Sequence, residues 1–81
     1  MEIQEIVVYG TLWCSDCRRA TRLLDQAGKP YTFINIETDA QAAAYVMQVN
    51  RGNQSVPTIV FPDGSILVEP SNAELQAKLF G

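Results

Sequence analysis

The sequence predicts a small α/β protein, with three helices on a four-stranded mixed sheet in the order β-α-β-α-β-β-α. Three observations carry that prediction. The β-branched and aromatic run "IVVY" leads through a short loop into a segment of helical periodicity. An Asp-Gly pair separates two short apolar runs near the C-terminus. Capping-box patterns at Thr38 and Ser71 announce two further helices.

Each element follows from local pattern. Ile6 to Tyr9, ending at Gly10, reads as a buried strand. From Ser15 to Ala27, Cys17, Ala20, Leu24 and Ala27 recur at helical spacing with Leu23 alongside, which makes one apolar face. Gly28 supplies the stop and Pro30 follows it. Tyr31 to Glu37 reads as the second strand. Thr38 with Gln41 starts a helix through Val49, with Ala42, Val46 and Val49 facing inward. After the polar loop Asn50 to Ser55, "TIVF" and "ILVE" form a hairpin across Pro62-Asp63-Gly64-Ser65. Ser71 and Glu74 open a last helix containing Leu75 and Leu79. The β-α-β start makes the first two strands parallel, and the hairpin adds antiparallel ones. Element order and cysteine position together describe a minimal thioredoxin fold.

Composition narrows the function. The 81 residues, 47% hydrophobic and 19% charged, are expected to form one domain over 1–81 that buries a thin core. A net charge of −3 argues against a nucleic-acid binder, which normally shows a basic face. No stretch approaches the roughly 20 apolar residues of a membrane span. The acidic start "MEIQE" lacks a signal-peptide layout, so a cytoplasmic location is expected. With no His, there is no Ser-His or Cys-His nucleophile and no imidazole metal ligand. Two cysteines alone cannot complete a tetrahedral zinc site, and a monomer without resident metal is the default.

Those two cysteines, Cys14 and Cys17 in "YGTLWCSDCRRA", leave three readings open. They are a redox couple, half of a metal site completed by a second chain or small thiols, or two small buried residues. Position favours the first, because the pair falls where the first strand gives way to the first helix. Cys14 sits at the helix start, near unpaired N–H groups and the positive dipole end, which favour a thiolate. Cys17 heads the apolar face and is expected to be more buried and less acidic. Cys14 would then attack and Cys17 resolve. Arg18, Arg19 and Arg22 either favour the thiolate or, the favoured reading, simply form a solvated helix face, whereas Asp16 opposes the thiolate. Trp13 is either a packing residue or a rim contact. Val56-Pro57 precedes a strand, and in a thioredoxin fold that position carries a cis peptide whose preceding backbone offers a donor and an acceptor to substrate.

Along its whole length the sequence resembles the glutaredoxins, on "WCSDC", "SVPT" and the "FPDGS" turn. Within them, Val49 to Leu79 is most similar to the mycoredoxins, which use small thiols other than glutathione. The resemblance implies a thiol–disulfide oxidoreductase acting on mixed disulfides between proteins and a low-molecular-weight thiol. That thiol, whether mycothiol, bacillithiol or glutathione, is a co-substrate and not a bound cofactor. A flavin-dependent thiol reductase is a further implied partner. Carried over by position, the catalytic residues are Cys14 and Cys17. Substrate contacts fall at Thr11, Trp13, Ser15, Asp16, Val56, Pro57, Ser71 and Asn72.

The sequence departs from the glutathione-using pattern. Ser15-Asp16 replaces Pro-Tyr or Gly-Tyr, and Thr11 stands where a Lys is usual. Glu69-Pro70-Ser71-Asn72 replaces the Gly-Gly-x-Asp segment that holds glutathione's ends. Two alternatives follow from the same family. One is a donor to ribonucleotide reductase driven by thioredoxin reductase, whose usual C-terminal tail is not seen in "PSNAELQAKLFG". The other is an iron–sulfur or metal carrier, against which the retained Cys17 argues.

Overall fold

The structure, a computed structural model, describes residues 5–81; most of the acidic stretch "MEIQE", Met1 to Gln4, lies outside them. Four strands and three helices alternate as expected: β1 Ile6–Gly10, α1 Ser15–Gln26, β2 Tyr31–Asn35, α2 Ala40–Val49, β3 Thr58–Val60, β4 Ile66–Val68 and α3 Asn72–Phe80. The sheet order is β2-β1-β3-β4. β1 runs parallel to β2, with Ile6 opposite Tyr31 and Gly10 opposite Asn35. It runs antiparallel to β3, which pairs antiparallel with β4. The chain thus has the thioredoxin-type fold that the element order predicts.

Strand alternation divides the core between the two faces. Ile6, Val8, Ile59 and Phe61 pack with Ala20 and Leu24 of α1 and Leu75 of α3. On the opposite face Tyr9, Ile34 and Val56 pack around Ile36 and around Ala42 and Val46 of α2. Central β1 is therefore covered on both sides, which fixes its C-terminal end, where the cysteine loop departs. No helix among the described residues is long and apolar enough to cross a membrane.

The hairpin turn closes as its residues require. Asp63 accepts from the Ser65 N–H at 2.9 Å and from its hydroxyl at 2.6 Å, while Gly64 takes a φ of 88° that disfavours a side chain. Lys78 of α3 reaches the same carboxylate at 2.7 Å. These bonds hold the Asp63 carboxyl well below the usual carboxylate range.

Several boundaries differ from the sequence reading. β2 stops at Asn35 because its partner β1 ends at Gly10, and one more bond, from Ile36 N to Gly10 O at 3.0 Å, closes the pair. The hairpin strands each lose their last residue, Phe61 and Glu69, to the turns that follow. The N-cap of α2 is Asp39 and not Thr38: Asp39 accepts from the Ala42 N–H at 3.0 Å, whereas the Thr38 hydroxyl turns back to Asn35 O at 3.3 Å. An ionised carboxylate is the stronger acceptor for helix N–H groups. At Ser71 the reading holds in full, with both reciprocal capping-box bonds to Glu74 formed, at 3.1 and 2.8 Å.

Candidate active site

The chain leaves β1 at Gly10, turns through Thr11–Trp13 and enters α1 with Cys14 as its N-cap. The Cys14 sulfur does what a Ser or Asp oxygen does at other caps: it accepts from the Cys17 N–H, at 3.0 Å. The backbone confirms the cap, since the Arg18 N–H donates to Cys14 O at 3.2 Å. Both thiols are free. Their surroundings differ. Cys14 is 7% exposed and Cys17 only 1%. Burial first, and then the hydrogen bond with Cys14, pushes the Cys17 thiol up to about 12; the charges of Cys14 and Asp16 add to the rise, and the Thr11 backbone opposes it. The predicted asymmetry in burial is thus present, and Cys17 is the weakly acidic member.

Gly10 makes room for Cys17. A Cβ at Gly10 would lie 2.6 Å from the Cys17 sulfur and 3.0 Å from the Phe33 ring. The absent side chain lets α1 sit close enough for Cys17 to stack on the strand end.

The second wall is the Val56–Pro57 segment, whose peptide bond is cis. Val56 O faces the Cys14 sulfur at 4.0 Å. Behind it, buried Thr58 donates to Ser55 O at 2.7 Å and accepts from Asn50 Nδ2 at 3.1 Å. Asn50 also bonds Val46 O at 2.8 Å, so the loop before Pro57 is fastened to α2. Pro57 O accepts from the Glu69 N–H at 2.8 Å, which brings the 69–72 segment alongside.

Arg19 joins the cysteine helix to that segment. Its guanidinium donates to Asp16 Oδ1 at 3.3 Å, to Asn72 Oδ1 at 2.8 Å and to Pro70 O at 3.4 Å. This corrects the reading of Arg19 as part of a solvated face: it is half-buried and paired, and it offsets the negative charge that Asp16 places near the sulfurs. The other cationic neighbour, Arg18, donates to Leu12 O at 3.1 Å.

The structure gathers the residues singled out from sequence unevenly. Cys14, Cys17, Val56 and Pro57 meet at the end of β1. Ser15 and Asp16 are exposed on the first turn of α1. Trp13 is a rim residue, 68% exposed, with its indole N–H donating to Glu37 at 2.9 Å. Thr11 is buried, and among the described residues its hydroxyl has no partner. Ser71 caps α3 and Asn72 is held by Arg19. The sequence reading missed the close approach at Gly10, the pairing of Arg19 with Asp16 and Asn72, the role of Glu37, and the Asn50–Thr58 clasp. Only Gly10 left a local signal, since a glycine at a strand end marks close approach.

The glutaredoxin family model matches residues 6–66. The chain belongs to the glutaredoxin family. It is 42% identical over 74 residues to Mycobacterium tuberculosis Rv3198A, which carries the provisional name of a glutaredoxin; the match spans 91% of this chain and 88% of that one. It is 36% identical over 77 residues to mycoredoxin 1 of Corynebacterium glutamicum, spanning 95% of each. Among solved structures, a glutaredoxin of Archaeoglobus fulgidus superposes with a TM-score of 0.75 at 23% identity, covering 95% of this chain and 87% of that one. This glutaredoxin is thus a redox protein of the thiol–disulfide oxidoreductase class, with its Cys-x-x-Cys pair at the start of α1.

Proposed function

We propose that this glutaredoxin reduces mixed disulfides between proteins and a low-molecular-weight thiol of the mycothiol or bacillithiol type. The observation that carries the reading is the unequal placement of the two sulfurs, one capping α1 and one sealed against Gly10. The Cys14 thiolate attacks the small-thiol sulfur of the mixed disulfide. A bond forms between Cys14 and the small thiol, and the target leaves as its thiolate and takes up a proton. A second small thiol then attacks the attached sulfur, giving the oxidised small-thiol dimer and the Cys14 thiolate. In the other branch Cys17 loses its proton and attacks Cys14, expelling the small thiol and leaving a Cys14–Cys17 disulfide. That disulfide takes two electrons from two small thiols or from a flavin-dependent reductase.

Cys17 suits the second branch because two causes of its weak acidity lapse when Cys14 is bound. The Cys14 hydrogen bond and charge no longer hold it up, and burial and the charge of Asp16 remain, opposed by the Thr11 backbone. Before that point it is silent. Burial and the Cys14 hydrogen bond keep its thiol protonated near neutral pH. Iodoacetamide at pH 7–8 is expected to alkylate Cys14 alone in the reduced native protein, with Cys17 labelling rising only as the pH approaches 12. Peptide mass mapping checks this, and equal labelling at pH 8 contradicts it.

The 69–72 segment and relatedness to mycoredoxin 1 support a thiol other than glutathione. A site for glutathione's ends would need open backbone and a free carboxylate. Here Pro70 is buried, its carbonyl accepts from Arg19, and the Asn72 amide oxygen is taken. The decisive experiment compares wild type with Cys17→Ser on mixed disulfides of mycothiol, bacillithiol and glutathione. Cys17→Ser is expected to keep most of the turnover, by the one-cysteine route, with glutathione the poorest of the three. Turnover driven equally well by thioredoxin reductase without any small thiol would sink the reading.

A further inference from the structure

The surroundings of Cys14 are polar on one side and apolar on the other. Toward Val56 and residues 69–72 stand carbonyls and the Arg19 network. On the other side the loop before Cys14 carries Leu12, 70% exposed, and Trp13, 68% exposed. Behind Leu12 opens a cleft of about 250 Å³, lined by Leu12, Arg18, Thr21, Tyr31 and Phe33 among others.

The loop is braced in this exposed state. Arg18 donates to the Leu12 carbonyl at 3.1 Å, and the Trp13 indole is held on Glu37 at 2.9 Å. Two bonds from separate elements keep two large apolar side chains in water beside the sulfur, where their burial energy is unspent. Arg18 also has no carboxylate within salt-bridge distance among the described residues, so it offers a positive charge at the lip of the cleft. The cleft is smaller than the roughly 300–1,000 Å³ of sites that enclose a whole small molecule. It has the size for one side chain.

We propose that Leu12, Trp13 and this cleft dock the protein half of the mixed disulfide. The occupant is an exposed segment of the target in which an apolar side chain near the disulfide-bonded cysteine enters the cleft. An acidic neighbour faces Arg18. The inference rests on the mixed-disulfide reading. It follows from the reach of a disulfide: both halves must lie against surface adjoining Cys14, and the polar wall and the apolar face divide that surface between them.

Two substrates test it, both carrying whichever of the three small thiols wild type turns over fastest. One is its mixed disulfide with 2-mercaptoethanol, which has no protein half. The other is its mixed disulfide with a short peptide that bears Leu and Glu beside its Cys. Leu12→Ser is expected to raise the KM for the peptide about tenfold and leave the 2-mercaptoethanol substrate unchanged. Arg18→Gln is expected to raise it several-fold, in proportion to salt sensitivity lost, and a peptide with Ser for Leu should bind wild type as weakly as the Leu peptide binds Leu12→Ser. An unchanged peptide KM in Leu12→Ser, or equal losses on both substrates, overturns the docking face while leaving the reaction intact. Failure of wild type on both substrates overturns the mixed-disulfide reading itself.

Discussion

Cys14→Ser is expected to cut turnover of every mixed disulfide by on the order of 10³-fold or more, as loss of an attacking group does elsewhere. A hydroxyl beside no general base is not ionised near neutral pH, and the chain has no His to activate it. Cys17 cannot stand in, because its sulfur is buried against the end of β1. The same substitution spares the fold. Serine is among the preferred N-cap residues, and its oxygen can take the bond that the Cys17 N–H now gives to sulfur. A Tm within a few degrees of wild type should therefore accompany the loss, which places it in the chemistry. Retention of more than a few per cent of wild-type turnover would remove Cys14 from the role of nucleophile.

The second large effect is expected from Gly10→Ala. The new methyl would stand 2.6 Å from the Cys17 sulfur and 3.0 Å from the Phe33 ring, so α1 must retreat or Cys17 must change rotamer. Overpacking of this kind costs about 1–3 kcal/mol. In a protein of this size each kcal/mol moves Tm by roughly 4–8 °C, so a fall of roughly 5–20 °C is expected in a melting curve. The cause is separable by a second change. Gly10→Ala combined with Cys17→Ala deletes the sulfur that the methyl meets, and it should recover most of the lost Tm relative to Cys17→Ala alone. Equal losses in both backgrounds would mean that strand conformation, and not the contact with Cys17, demands glycine there.

What the sequence made legible was whatever neighbours along the chain decide. The apolar stripe Cys17–Ala20–Leu24 lies buried as its spacing requires, the Ser71 capping box forms, and the Asp-Gly turn closes the hairpin. Where two adjacent residues competed for one role, pattern alone chose wrongly: Thr38-x-x-Gln41 has the capping-box letters, but the carboxylate of Asp39 takes the cap. Strand ends were overrun because a strand lasts only as long as its partner. The site's supporting bonds were invisible for another reason. Arg19 meets Asn72 across 53 positions and Trp13 meets Glu37 across 24, and no local pattern encodes which surfaces the fold brings together. The charge of Asp16 illustrates the cost. In sequence it reads as a hindrance to the Cys14 thiolate, and only the fold supplies the guanidinium that offsets it.

The cap formed by the Cys14 sulfur ties helix stability to the chemistry of the site. The group that holds the first turn of α1 is the group that reacts, so every bond Cys14 makes or breaks bears on the cap. A side-chain cap of the usual oxygen type is worth about 1 kcal/mol. The hydrogen bond that secures α1 and the sulfur that carries the chemistry thus belong to one group, so a change at either bears on the other.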